Sequence, residues 1–206
     1  MSVVIETINK PWAQTTEWMR PRRFTVDEYY RMLEVGILRE DDRVELIQGE
    51  ILPMSPKSIL HVAGVRRASK KLEKLLGNRA FVRAQEPIHL DDASEPEPDV
   101  VVAQPSKTDY EDHHPTPPEL YLVMEVADSS FAKDRDRKAP VYAQAGIIQY
   151  CILNVRDREL EEYCEPSPRG FRRVRVYAEQ ERFSLVAFPE VEIKVADLLP
   201  RHQKFS

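Results

Sequence analysis

The sequence predicts an α/β domain built around a central sheet, with a β-rich C-terminal section. Three observations carry that expectation. Two runs of nearly continuous apolar residues, Val100 to Ala103 and Leu120 to Val126, read as strands buried on both faces. Segments with helical apolar spacing, Ser58 to Leu76 and Lys133 to Ala145, alternate with them along the chain. From Ile148 onward the pattern turns to short β-prone stretches. At 206 residues, 42% hydrophobic and 32% charged, the chain can bury one sizeable core, and its composition excludes collagen-like, disulfide-dense and wholly disordered classes.

In chain order, residues 1–22 lack periodicity and are expected to form an arm. Thr25 and Glu28 make a capping box, with Phe24 and Tyr29 at the hydrophobic-staple positions, so a helix starts there and ends at Gly36. Val44 to Ile47 and Glu50 to Leu52 flank Gln48-Gly49, a tight hairpin turn. The second helix carries an apolar stripe of Val62, Val65, Ala68, Leu72, Leu75 and Leu76, with Arg66, Arg67, Lys70, Lys71 and Lys74 away from it and Gly77 closing it. Val82 to Leu90 is a strand candidate, placed at an edge or bulge by Pro87. Residues 104–119, rich in proline and polar groups, form a long surface loop. The third helix, Lys133 to Ala145, ends at Gly146 and contains Pro140, which is expected to kink it or to confine its regular part to one side. Ile148 to Asn154 and Glu159 to Cys164 form a hairpin around Asp157-Arg158, which sets Cys151 opposite Cys164. Phe171 to Tyr177 and Phe183 to Phe188 add β structure, Val195 to Leu199 is a short helix, and residues 201–206 are a tail. Residues 23–200 are therefore one domain.

The net charge of −5 argues against binding nucleic acid over the whole surface. The charges are uneven, however: Lys57 to Arg79 is strongly basic, while acids collect at Asp91 to Asp99 and Asp109 to Glu119. A polyanion would meet a local patch. No apolar run approaches the ~20 residues of a membrane span, the N-terminus lacks the pattern of an export signal, and two cysteines are too few for a disulfide scaffold. A cytoplasmic location is expected. No zinc spacing surrounds His113-His114, and no glycine-rich phosphate loop occurs.

The informative chemistry is a set of acids where acids are costly. Glu125 interrupts a buried-strand pattern, Asp99 opens another behind Pro98, and Glu45 sits in the apolar VELI. A buried carboxylate must be neutralised, hydrogen-bonded or paired. Any one alone fits an acid that faces solvent or an arginine; three on neighbouring sheet elements also suit a hard divalent cation such as Mg²⁺. Asp134, Lys138 and Tyr142 recur every four residues and share a helix face. Lys138 then either points back toward the carboxylates or pairs with Asp134 on the surface.

These residues, in order, resemble a known pattern. Glu45-Leu46-Ile47, Gly49-Glu50, Ser55-Pro56, His61, Pro98-Asp99-Val100, Glu125-Val126, Asp134, Lys138, Tyr142, Ala145-Gly146 and Tyr150 are similar to the Uma-two family of restriction-endonuclease-like domains, in the PD-(D/E)XK nuclease superfamily. The resemblance spans Phe24 to Leu199. It implies a mixed central β-sheet flanked by helices, with Asp99 matching the PD aspartate and Glu125 the acid of the (D/E)XK element. Position 127 is Ala127, and Lys138 on the next helix matches the family's lysine; Glu45 matches an upstream glutamate that completes the acidic cluster, and His61 a recurrent histidine. Asp128-Ser129-Ser130, Pro140 and Asn154 depart from the family pattern.

The resemblance implies a metal-dependent endonuclease that hydrolyses phosphodiester bonds in DNA. Asp99, Glu125 and Glu45 would bind Mg²⁺ (or Mn²⁺), and Lys138 would orient water and stabilise developing charge. Arg66, Arg67, Lys70 and Lys71, or Arg172, Arg173 and Arg175, are candidate phosphate contacts, and a homodimer is expected because two strands require two sites. The alternative is a catalytically weak or inactive nuclease-fold module that binds nucleic acid or acts as a regulatory homodimer.

Overall fold

The computed structural model describes residues 21–39 and 41–201. The expected arm and tail lie almost wholly outside them. Helix α1 spans Val26–Glu34 and begins as its sequence dictates: Glu28 N–H donates to Thr25 Oγ1, and Thr25 N–H donates to the Glu28 carboxylate. Strands β1 (Val44–Ile47) and β2 (Glu50–Pro53) form a hairpin. Gln48 and Gly49 both have positive φ, as a two-residue hairpin turn of this twist needs. Gly49 is further constrained because Phe24 N–H donates to its carbonyl at 2.9 Å, and a Cβ there would lie 2.6 Å from Arg23 Cβ.

Helix α2 spans Ile59–Leu76, and six strands make the central sheet: β3 (Phe81–Arg83), β4 (Val100–Ala103), β5 (Leu120–Ala127), β6 (Gln149–Asn154), β7 (Glu159–Cys164) and β8 (Arg173–Ala178), in that spatial order. Every neighbouring pair is antiparallel except β5–β6. A parallel pair needs a crossover, and the segment carrying helices α3 (Phe131–Lys133) and α4 (Ala139–Gln144) supplies it. The sheet is mixed, as expected. Val100, Val102, Leu122, Met124 and Val126 face one core with Val65, Ala68, Leu72 and Leu76 of α2. Val101, Ala103, Val123 and Ala127 face the other, with Tyr142, Tyr150 and Ile47. A separate hairpin, β9 (Arg182–Leu185) with β10 (Phe188–Lys194), and helix α5 (Val195–Leu198) pack on the α2 side.

Several expectations are corrected. The strand expected over Val82 to Leu90 is only Phe81–Arg83; the chain leaves the sheet after Arg83, four residues before Pro87, and Gln85 takes a positive φ. Phe183 to Phe188 contains a turn at residues 186–187, and β10 beyond it was not anticipated. The β6–β7 turn centres one residue earlier than expected, so Cys164 pairs with Gln149, and Cys151 with Glu162. The cysteines are buried and free, and they do not face each other.

The third helix is not regular. Asp134–Lys138 is a π-helical turn in which Ala139 N–H donates to the Asp134 carbonyl, five residues back. Pro140 follows in the first turn of α4. The wider turn accommodates a residue that lacks an N–H and crowds the preceding turn, and the longer regular part of the helix, Ala139–Gln144, lies on one side of it.

Candidate active site

Helix α2 and the crossover segment approach the same end of β4 and β5 from opposite faces, and the residues singled out in the sequence meet there. Glu45, Asp99, Glu125, Lys133, Asp134, Lys138 and His61 line one cleft of about 500 Å³, part of it open to solvent. The register explains the meeting. Val100 pairs with Met124, so continuing the ladder by one residue sets Asp99 across from Glu125. Alternation along β5 puts Glu125 on the crossover side with Val123 and Ala127, while Asp99, just before β4, turns its carboxylate to Val126 N–H and to His61 of α2. Strand β1 brings Glu45 in, held by Glu95 N–H donating to the Leu46 carbonyl and Gly49 N–H to the Ala93 carbonyl.

The Glu125 half of the cleft is nearly dry. Glu125 and Lys138 are each 4% exposed. Lys138 Nζ bridges Glu125 Oε1 and Glu45 Oε2 at 2.9 Å each, and Tyr142 Oη donates to Glu125 Oε1 at 3.0 Å. Glu45 Oε1 accepts from Lys133 Nζ at 3.0 Å, which also donates to the Pro53 carbonyl. The contact between Lys138 and Glu45 Oε2 is an ion pair off the line of a hydrogen bond, so that buried oxygen lacks a donor. No described residue donates to Glu125 Oε2. Asp134 is buried too, with Ser130 Oγ donating to its carboxylate at 2.7 Å.

These groups distort one another's proton affinities. Burial pushes the Glu125 carboxyl well above its ordinary range; Lys138 opposes this, and Asp134, Asp99 and Glu45 add to it. Burial raises Asp134 to about 6 against the pull of Lys138 and the Ser130 hydroxyl. Burial disfavours the Lys138 ammonium, but Glu125, Glu45 and Asp134 outweigh it and lift the pKa above the usual lysine value. Burial likewise opposes ionisation of Glu45, yet the two lysines keep its pKa below the usual range.

The Asp99 half is hydrogen-bonded on every side. Val126 N–H donates to Oδ2 at 2.8 Å and Gln85 Nε2 to Oδ1 at 3.2 Å. His61 faces Asp99 Oδ1 with Nε2 (3.1 Å) and the Val126 carbonyl with Nδ1 (2.8 Å). Both contacts are acceptors, so the ring satisfies them only as the doubly protonated imidazolium. Burial lowers its pKa, but Asp99 and the Val126 carbonyl outweigh that and raise it. Burial raises Asp99, and His61, Val126 N–H and Gln85 more than reverse it. His61 reaches this position because Gly64, one turn along α2, lets the helix touch the sheet: a Cβ there would be 2.7 Å from Val126 Cγ1.

Lys133, Gln85 and Ser130 went unrecognised in the sequence. Lys133 stands five residues before Lys138, a separation a regular α-helix turns through about 140°; only the π turn brings both ammonium groups to Glu45. Among the candidate phosphate contacts, Arg67 and Lys71 are committed to α5, donating to the Asp197 carbonyl (3.3 Å) and pairing with its carboxylate (2.6 Å). Arg173 pairs with Glu162 and Glu165.

The donor set suits a hard divalent cation: carboxylate oxygens, some lacking donors, and more buried negative charge than the lysines balance. Among the described residues, no three His, Cys, Asp or Glu side chains stand close enough to hold an ion as placed. Binding one would therefore require side chains to close in.

The fold defines the class. The chain resembles a crystal structure from Anabaena variabilis, described as a putative nuclease belonging to DUF820, with a TM-score of 0.66 and 15% identity, covering 85% of this chain and 97% of that one. A likeness at that identity shows a shared fold. The family model Uma2, described as "Putative restriction endonuclease", matches residues 26–196. The chain belongs to that family. No curated protein matches it.

Proposed function

We propose that the protein is a metal-dependent endonuclease that hydrolyses phosphodiester bonds in DNA. The observation that carries this reading is the cluster of Glu125, Glu45 and Asp134 around one buried lysine, with Asp99 lining the same cleft, at the strand ends of a nuclease fold. Asp99 and Glu125 would hold Mg²⁺ or Mn²⁺, with Glu45 binding directly or through water. When bound, such an ion lowers the pKa of water and offsets charge on the phosphate. Lys138 keeps its proton too firmly to act as a base; it supplies a fixed positive charge and a hydrogen-bond donor where negative charge builds on phosphate oxygens. Glu45, facing Lys133 and Lys138, holds both ammonium groups in place. His61 holds Asp99 and the Val126 carbonyl. The protein would act as a cytoplasmic homodimer; among the described residues no helix is long and apolar enough to cross a membrane.

Calorimetric titration with Mg²⁺ and Mn²⁺, followed by a plasmid-nicking assay, tests the reading. The parent is expected to bind the ion and relax supercoiled plasmid, and Glu125→Gln to lose both. A parent that neither binds ion nor nicks DNA overturns it. A second reading, a nuclease-fold module that binds nucleic acid without cutting, is favoured by one feature: Lys138 already bridges Glu45 and Glu125 where a cation would help. Ion binding without nicking would select it.

A further inference from the structure

Helix α2 presents a solvent-facing stripe whose two parts differ in chemistry. Ile59, Val62, Arg66, Lys70 and Lys74 follow at spacings of three or four residues and so lie along one side of the helix. At the end nearest the cleft the stripe is apolar: Ile59 is 80% exposed and Val62 50%. The segment just before it, Ser55 to Lys57, lines the cleft, as does His61 within it. Farther along, the stripe is cationic. Arg66, Lys70 and Lys74 are exposed, and no carboxylate partner exists for any of them among the described residues. Arg67 and Lys71, on the flank, are consumed by α5. Glu73 is the stripe's one carboxylate, near its far end.

Exposed β-branched side chains that run into unpaired cations, beginning at an acidic cleft, fit a polyanion with apolar faces of its own. We infer that the outer stripe of α2 is the track on which a nucleic-acid strand lies, with its phosphates on Arg66, Lys70 and Lys74 and its bases against Ile59 and Val62 at the mouth of the cleft. This placement rests on the nuclease reading of the cleft. From Ile59 to Lys74 the helix rises about 22 Å, comparable to about six nucleotides of one strand at ~3.4 Å each. Apolar side chains engage bases only where stacking is opened, so the surface favours strands with unpaired or easily unstacked bases over uniform duplex.

The test is fluorescence anisotropy with three labelled oligonucleotides of about 20 nucleotides (single-stranded, duplex, and duplex with a bulge) in EDTA across a salt series. All substituted side chains are exposed, and circular dichroism checks folding. Arg66→Ala/Lys70→Ala/Lys74→Ala should weaken binding of every probe and flatten the log–log salt slope by about 2 to 3. Ile59→Ser/Val62→Ser should weaken single-stranded and bulged probes about tenfold, with the salt slope unchanged. A parent that binds while both variants match it overturns the placement alone. So does loss of a dimer by the serine variant with binding intact, which would make the apolar end an interface between copies of the chain. A parent that binds no probe overturns the nucleic-acid reading itself and the placement with it.

Discussion

Glu125 on β5 and Glu162 on β7 are buried to the same extent, 4% exposed each, yet their surroundings differ in kind. Glu162 accepts from Gln149 Nε2 at 2.7 Å and Tyr177 Oη at 3.1 Å, with Arg173 at 3.5 Å on the sheet's edge. Its partners tie β6, β7 and β8 together. Glu125 shares one ammonium with Glu45, lies among further carboxylates, and opens on a cleft. A buried acid by itself therefore indicates only that partners must exist. Crowding of like charges marks the site, because no folding requirement explains several carboxylates gathered around too few cations.

Substitutions can sharpen or break that contrast. The largest effect is expected from Lys138→Met, which strands Glu125 and Glu45 without their shared cation: a loss of about 3–5 kcal/mol in urea unfolding near pH 8. The loss should shrink at lower pH as the abandoned carboxyls take up protons. Asp134→Asn follows. The Asp134 carboxyl titrates near 6 in the fold, above its unfolded value of ~3.9, so the folded parent binds the extra proton between those values and loses stability as pH rises through them. The variant should gain on the parent by on the order of 2 kcal/mol between about pH 4 and pH 6.5, then level off. A flat difference across that range would remove Asp134 from the crowded set. Glu162→Gln keeps most of its hydrogen bonds and should cost about 1 kcal/mol, with ion binding unchanged in calorimetry; lost ion binding would erase the distinction between the two glutamates. Tyr177→Phe, removing one donor to Glu162 at a half-buried position, should cost about 0.5–1 kcal/mol by the same measurement.

Much of this was legible in the residues. Capping at Thr25, the Gln48-Gly49 turn, the amphipathic α2 and the doubly buried β4 and β5 all follow from local rules that tertiary contacts did not override. Glu45, Asp99 and Glu125 stood out because each broke an apolar pattern, and Lys138 because it shared a face with Asp134 and Tyr142. Glu162 did not stand out, since it sits among Glu159 and Glu161 in a short strand rather than inside a continuous apolar run, although it shares the face of Leu160 and Cys164. β10 was missed because Phe188-Pro189 reads as an ending, and the cysteine register slipped because a four-residue turn was placed one residue late.

Local sequence determined which segments fold as helix or strand and which acids must find partners, since propensity, capping and burial act over a few residues. The partners themselves were decided only in three dimensions. The π turn that delivers Lys133 and Lys138 to one glutamate, the close approach at Gly64 that sets His61 between Asp99 and Val126, and the withdrawal of Arg67 and Lys71 to α5 depend on packing between elements far apart in the chain. Contacts across such separations follow from shape and register, and neither is written in any single stretch of residues.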